Sequence, residues 1–216
     1  MGPDVCVVVA GGQSRRMQPL GDKLLLPRAP LSPPILAHVL TVAASLCDCV
    51  IVAHAPGPVR DVVARHLPVS CANKIDWQLD AVPWSGPLTA LAHVFTSARV
   101  QEANTVGVVA GDLPGITADV LQRCHAALAA SEAADGAALV RDGRIQPLIA
   151  CYRHRAVAAV VDAVAAGQVR LMGVLDRLNV IPVALEDGTP EWRIRPVHTP
   201  EDYEAWLAWR AAFETS

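Results

Sequence analysis

Residues 5–10 read Val5-Cys6-Val7-Val8-Val9-Ala10, the chain turns at Gly11-Gly12, and it continues as Gln13-Ser14-Arg15-Arg16-Met17 and then Gly21-Asp22-Lys23-Leu24-Leu25-Leu26. The unbroken β-branched run suits a strand buried on both faces, as in a parallel sheet covered by helices. Two glycines directly after it let the backbone pass close to a ligand with its amides turned outward, which makes an anion-binding concavity. Arg15, Arg16 and Lys23 then supply positive charge. Together these features predict a seat for a nucleoside triphosphate. No Gly-Lys-Ser/Thr closes the turn and no Gly-x-Gly-x-x-Gly is present, so the pattern is neither the Walker loop nor the dinucleotide fingerprint. Double glycines also mark plain tight turns, and it is the downstream Asp22-Lys23 that tips the reading toward phosphate.

Outward from that strand, apolar runs of strand length alternate with segments of helical period, which predicts an α/β fold. We expect one Rossmann-like, three-layer α/β/α domain over residues 1–216, its sheet mainly parallel. Strands are expected at 50–53, 75–81, 105–110 and 180–185. A helix carrying Ile35, Leu36, Val39 and Leu40 is expected to start at a Ser32 cap, with Pro33 and Pro34 in its first turn. Thr117 is expected to cap the helix bearing Val120, Leu121 and Cys124. Asp142-Gly143, between two β-rich runs, predicts a hairpin and therefore some antiparallel pairing. Thr199-Pro200-Glu201-Asp202 places a cap, a first-turn proline and early carboxylates ahead of a final helix.

Composition narrows the function classes. With 52% hydrophobic but only 4% aromatic residues, the core is built from Val, Leu, Ala and Ile. A net charge of −3 gives no electrostatic footprint for nucleic acid, and four of the 18 basic residues, Arg15, Arg16, Lys23 and Arg28, fall in or just after the phosphate turn. The six cysteines lack zinc-ribbon or thioredoxin spacing, and Cys47-Asp48-Cys49 is read as ordinary thiols rather than a metal or redox pair. No apolar stretch reaches membrane-spanning length and no signal-peptide pattern opens the chain, so the expectation is a cytoplasmic protein with no membrane partner.

The order Ala-Gly-Gly-x-Ser-x-Arg-Met, then Asp-Lys-x-Leu-Leu, resembles the nucleotidyltransferases of the molybdenum cofactor guanylyltransferase (MobA-like) family. Further segments follow in the same order: Ser85-Gly86-Pro87-Leu88, Ala110-Gly111-Asp112-Leu113-Pro114, Gln146-Pro147-Leu148 and Thr199-Pro200-Glu201-Asp202. The resemblance spans roughly residues 4 to 210. It implies a nucleotide-diphospho-sugar transferase-like fold and transfer of GMP from GTP to a molybdopterin-type cofactor, with contacts to other cofactor-biosynthesis proteins. Carried over by position, Val9, Ala10, Gly11 and Gly12 meet base and phosphates, Asp80 and Gly86 hold the guanosine, and Lys23 falls on the phosphate lysine. Gly11 favours GTP, because related cytidylyltransferases carry Ala-Ala-Gly there.

Asp112 ends the 105–110 run and is our candidate for a Mg²⁺ ligand. Magnesium commonly takes one or two protein carboxylates and completes its shell with water and phosphate oxygens. A turn aspartate making local hydrogen bonds is the alternative. If the first and fourth strands lie side by side, the glycine turn and Asp112 face one another across a single cleft. The chemistry then asks Lys23, Arg16 and the cation to hold two repelling anions in line, with no general base needed, because the attacking phosphate is already an anion.

Three departures from the family bear on base and acceptor. Gln18 stands where a glycine usually follows Arg-Met, Ala53 where the guanylyltransferases end the second strand in asparagine, and Pro196-Val197-His198 where Asn-x-Asn is common. His198 either stands in for an asparagine ligand near the metal, as the resemblance implies, or packs at the helix entrance; the second is the expectation, since a lone histidine without visible partner ligands is usually structural. A cytidylyltransferase, another small-phosphate transferase and a non-catalytic nucleotide-binding protein remain the alternatives.

Overall fold

The computed structural model describes residues 2–80, 82 and 86–214. The expected Ala81 end of the third strand and Ser85 of the Gly-Pro-Leu segment lie outside the described residues. Seven strands form one sheet: β1 Val5–Ala10, β2 Val50–His54, β3 Ile75–Leu79, β4 Thr105–Ala110, β5 Gly136–Arg141, β6 Arg144–Arg153 and β7 Val180–Val183. Their spatial order is β3-β2-β1-β4-β6-β5-β7. β6 pairs antiparallel with β4 and with β5, while the other pairs are parallel. The helices are α1 Ile35–Ala44, α2 Val59–Ala64, α3 Val69–Ala72, α4 Pro87–Phe95, α5 Ala98–Gln101, α6 Ala118–Ala129, α7 His154–Ala165, α8 Leu171–Leu175 and α9 Pro200–Glu214. None of them is long and apolar enough to cross a membrane.

Strand β1 explains the layering. Successive side chains of a strand point to opposite faces. Cys6, Val8 and Ala10 pack with α1 and α6 residues such as Leu36, Leu40 and Leu121, whereas Val5, Val7 and Val9 pack with Leu88, Leu91 and Val157 of α4 and α7. Every residue of β1 is therefore buried. All six cysteines are free thiols, and Cys47 Sγ donates to the Cys49 carbonyl at 3.0 Å, in keeping with ordinary thiol packing.

Several local expectations are corrected. Helix α1 starts at Ile35 with Pro34 in the cap position, not at Ser32. Each proline disfavours helical backbone in the residue before it, so the double proline delays the helix until it has passed. Thr117 occupies the cap position of α6, yet its hydroxyl makes no cap bond and is buried without a partner. Strand β7 ends at Val183, two residues before Leu185. Asp142 and Gly143 adopt φ values of 51° and 71° and close the β5–β6 hairpin as expected. Within β6, Pro147 has no N–H to give, and the β5–β6 register shifts between Ala138 and Val140.

A third apolar cluster fastens α9 to the rest. Trp206 is fully buried, stacks edge-on to Trp192 with ring centroids 5.5 Å apart, and donates its Nε1–H to the Arg28 carbonyl at 2.7 Å. Tyr203 donates its hydroxyl to the Pro27 carbonyl at 2.8 Å. The helix starts in a reciprocal cap: Thr199 Oγ1 accepts from the Asp202 amide, and Asp202 Oδ2 accepts from the amides of His198 and Thr199. Replacing Trp206 with alanine removes this packing and one of the donors to the Arg28 carbonyl, so we expect Trp206→Ala to lower unfolding free energy by about 3–5 kcal/mol. Urea denaturation checks this; a loss under about 1 kcal/mol would show that the cluster does not hold α9.

Candidate active site

The cleft opens where β1 and β4 end together. These strands pair in parallel from Val5↔Val106 to Val9↔Ala110, so the glycine turn and Asp112 emerge at the same edge. Gly111 carries Asp112 into place: its amide donates to the Val9 carbonyl at 2.9 Å, and a Cβ there would stand 3.0 Å from Leu36 Cδ1 and 3.2 Å from Val9 O. The cleft has a volume of about 560 Å³. Val9, Gly11, Gly12, Arg16, Lys23, Asp80, Gly86 and Asp112 all line it, together with His198 and Leu148. Ala10 is the exception among the expected residues: its side chain lies in the core beneath the cleft.

The two glycines serve differently. Gly12 has φ 144°, a conformation other residues resist, whereas Gly11 does not have positive φ. A Cβ on Gly11 meets nothing within 4 Å, so glycine there keeps cleft space open rather than relieving backbone strain. Beyond the turn, Ser14 takes a left-handed φ of 45°. Its hydroxyl donates to Asp22 Oδ1 at 3.1 Å, and the same oxygen accepts from the Leu24 amide at 3.0 Å. One carboxylate thus ties the 3₁₀ turn of Arg15–Met17 to that of Lys23–Leu25. Arg15 and Arg16 are exposed and neither forms an ion pair among the described residues.

At the centre, Lys23 Nζ lies 2.5 Å from Asp112 Oδ2, with only 14% and 9% of the two side chains exposed. His198 joins them: its Nδ1 is 3.3 Å from Lys23 Nζ and 3.6 Å from Asp112 Oδ2. The histidine is delivered by a backbone bond, Val197 N–H to the Asp112 carbonyl at 3.0 Å. It is a member of the cleft and not merely packing at the helix entrance, contrary to the expectation from its isolation in sequence. Burial pushes its pKa below the ordinary imidazole value, Asp112 raises it, and Lys23 and Arg16 lower it further, which favours the neutral ring. Asp112 Oδ1 is buried and has no hydrogen-bond partner. A buried carboxylate oxygen held open in this way is suited to a cation, and no cluster of three or more His, Cys, Asp or Glu forms a closed metal cage among the described residues.

Toward the other end of the cleft, Asp80 is buried, its amide donating to the His54 carbonyl at 2.8 Å and its Oδ1 accepting from the Val82 amide at 3.3 Å. Gly86, with φ 97°, opens α4, and Gly86, Pro87 and Ala90 form that part of the wall. Ala53 faces the core instead and has no access to the cleft. A second hollow of about 320 Å³ shares His198 and is lined by Arg141, Arg195, Asp142, Glu191 and Asp202.

Residues 6–181 match the family model described as the MobA-like NTP transferase domain. The chain belongs to the MobA-like NTP transferase family. The probable molybdenum cofactor guanylyltransferase of Mycobacterium marinum is 30% identical over 203 residues, covering 92% of this chain and 90% of that protein. Among solved structures, the molybdopterin-guanine dinucleotide biosynthesis protein A of Archaeoglobus fulgidus superposes with a TM-score of 0.71 at 17% identity, covering 96% of this chain and 99% of its own. Rv0371C of Mycobacterium tuberculosis H37Rv, solved as a complex with manganese, gives a TM-score of 0.62 at 18% identity, covering 95% and 98%. This MobA-like chain is a nucleotidyltransferase.

The geometry separates the two glycines experimentally. Gly12→Ala should lower stability by about 1–3 kcal/mol, because a side chain must be forced into the left-handed region. Gly11→Val should leave the melting temperature nearly unchanged but abolish nucleotide binding by filling the cleft. Thermal melts and titration calorimetry check both; unchanged GTP affinity in folded Gly11→Val would remove Gly11 from the cleft wall.

Proposed function

We propose that this enzyme transfers GMP from GTP to the phosphate of a molybdopterin-type cofactor in the cytoplasm, with Mg²⁺ as the expected cation and pyrophosphate as the second product. The observation that carries the reading is the Lys23–Asp112 pair held between the glycine turn and the end of β4. In the reaction an acceptor phosphate oxygen attacks the α-phosphorus, the α–β bridging bond breaks, and its electrons leave with pyrophosphate. Negative charge accumulates on the bridging and non-bridging oxygens, and fixed positive charge there lowers the barrier.

The residues divide that work. Amides of the Gly11-Gly12 turn face the phosphates, Lys23 is a point charge on them, and Arg16, exposed at the cleft and without an ion pair among the described residues, is free to reach the departing pyrophosphate. Asp112 would hold the cation, and a cation bound there supplies charge neutralisation between the phosphate oxygens. Support for a divalent ion comes from the buried, unpartnered Oδ1 and from the manganese complex of the tuberculosis protein. Val9, Asp80 and Gly86 line the end where nucleoside recognition fits, with the buried Asp80 carboxylate a natural acceptor for guanosine donors. The acceptor approaches through the hollow of Arg141 and Arg195, which meets the cleft at His198. The guanylyltransferase names of the relatives and the glycine at position 11 both favour GTP and this acceptor.

The test is direct. The protein is incubated with Mg²⁺, molybdopterin cofactor and either GTP or CTP, and chromatography looks for the dinucleotide cofactor. Product with GTP supports the reading; product with CTP alone moves it to a cytidylyltransferase, and no product with either, despite GTP binding, shifts it to another acceptor or to a binding protein. Lys23→Ala and Asp112→Asn should each cut pyrophosphate release by about 100- to 1000-fold while the protein stays folded. Near-normal turnover in both would remove these residues from the chemistry.

A further inference from the structure

We propose that Asp112 and His198 form a two-ligand cation seat, which Lys23 fills until a triphosphate draws its ammonium away, and that the imidazole biases this seat from Mg²⁺ toward first-row transition-metal ions. The proposal rests on the reading of the cleft as a triphosphate site and goes beyond it in naming the second ligand and the metal preference.

Three observations support the seat. A lysine ammonium has donors and no acceptor, so a contact at 3.3 Å between Lys23 Nζ and His198 Nδ1 places the nitrogen lone pair toward Lys23. That is the form of imidazole that binds a metal. Second, Lys23 Nζ contacts Asp112 Oδ2 and His198 Nδ1 at once, so a cation already occupies the place where both donors converge. The donors are 3.6 Å apart, and neighbouring ligands with bonds of about 2.1 Å stand about 3 Å apart at right angles, so a few tenths of an ångström of closure suffices. Third, the donors are held in advance. Val197 N–H binds the Asp112 carbonyl and His198 N–H binds Asp202 Oδ2, so the two ligands are linked through backbone as well as side chain.

The consequence follows from charge and ligand type. With Lys23 in place, a divalent ion meets a positive charge at the seat and binds weakly. When phosphate oxygens attract Lys23, the aspartate loses its partner as the triphosphate brings further oxygen ligands, and metal and nucleotide therefore bind as a unit. Magnesium favours hard oxygen donors, and an imidazole nitrogen suits the transition ions better.

The experiment uses Mn²⁺ as the probe, followed by electron paramagnetic resonance with Mg²⁺ as competitor. Without nucleotide, Lys23→Met should bind one Mn²⁺ at least about tenfold more tightly than the parent protein, and adding His198→Asn should lower the Mn²⁺-over-Mg²⁺ preference by about tenfold or more. If Lys23→Met does not fold, the parent protein with Mn²⁺ and a non-hydrolysable GTP analogue is read instead: electron spin echo modulation should show ¹⁴N coupling from an imidazole, lost in His198→Asn. No gain of Mn²⁺ binding in folded Lys23→Met, an unchanged preference in the double variant, or no ¹⁴N coupling would each overturn the seat. Calorimetry of GTP with Mg²⁺ on the same samples separates the two levels. Intact nucleotide binding alongside a failed seat leaves the transferase reading standing, and absent binding with every metal counts against the transferase reading itself.

Discussion

The contact on which the cleft depends is the ion pair between Lys23 and Asp112, two largely buried charges brought together from positions 89 residues apart. Burying one such charge alone is costly, and removing one partner of a buried pair commonly destabilises by about 3–5 kcal/mol. The fold meets that requirement by pairing β1 with β4, so that the loops after both strands are neighbours whatever the intervening chain does. Gly111 then allows the two loops to approach closely, and the Asp22 carboxylate fixes the lysine turn from its other side. The pair is thus a structural link and, on the proposed reading, the feature a phosphate ligand would disturb.

The last helix extends this constraint. Tyr203 and Trp206 of α9 hold the carbonyls of Pro27 and Arg28, immediately after the lysine turn, while the start of the same helix is capped next to His198. Arg28 also donates its Nε–H to the Pro114 carbonyl at 2.6 Å, two residues after Asp112. Lysine, aspartate and histidine are therefore each anchored within a few residues to one apolar cluster that includes Met17, Trp192 and Trp206. Loosening that cluster should affect the cleft as well as stability, because the same atoms serve both.

Much of this was legible in the sequence, for identifiable reasons. Strand β1, the glycine turn, Lys23 and Asp112 are encoded locally, by a β-branched run and by polar residues placed just past strand ends. The Asp142-Gly143 hairpin is local as well. The cleft position of His198 was legible only as the lesser of two alternatives, because it depends on Val197 reaching the backbone of Asp112 across 85 residues, and no spacing rule records a bond of that kind. The difference between Gly11 and Gly12 was hidden too, since both read as glycine in a turn and only φ separates strain from space. Ser32 is a preferred cap residue, but the restriction that the two following prolines impose outweighs that preference.

The departure at Ala53 can now be placed physically. The residue is 1% exposed and faces the α4–α7 side of the core, so an asparagine at that position in this backbone would need partners inside an apolar cluster. Its neighbour His54 points elsewhere: it is buried, meets the Trp77 ring edge-on at 5.6 Å, and uses Nδ1 on the Ala55 carbonyl at 3.0 Å. The side chains at the end of β2 therefore do not line the cleft, and on the proposed reading base recognition would fall to other elements. What β2 does contribute is main chain, since the His54 carbonyl accepts from the Asp80 amide and fixes the buried Asp80 at that end of the cleft. On the proposed reading, discrimination between purine and pyrimidine would fall, among the described residues, to the shape set by Val9 and the start of α4 and to the donors a base presents to Asp80.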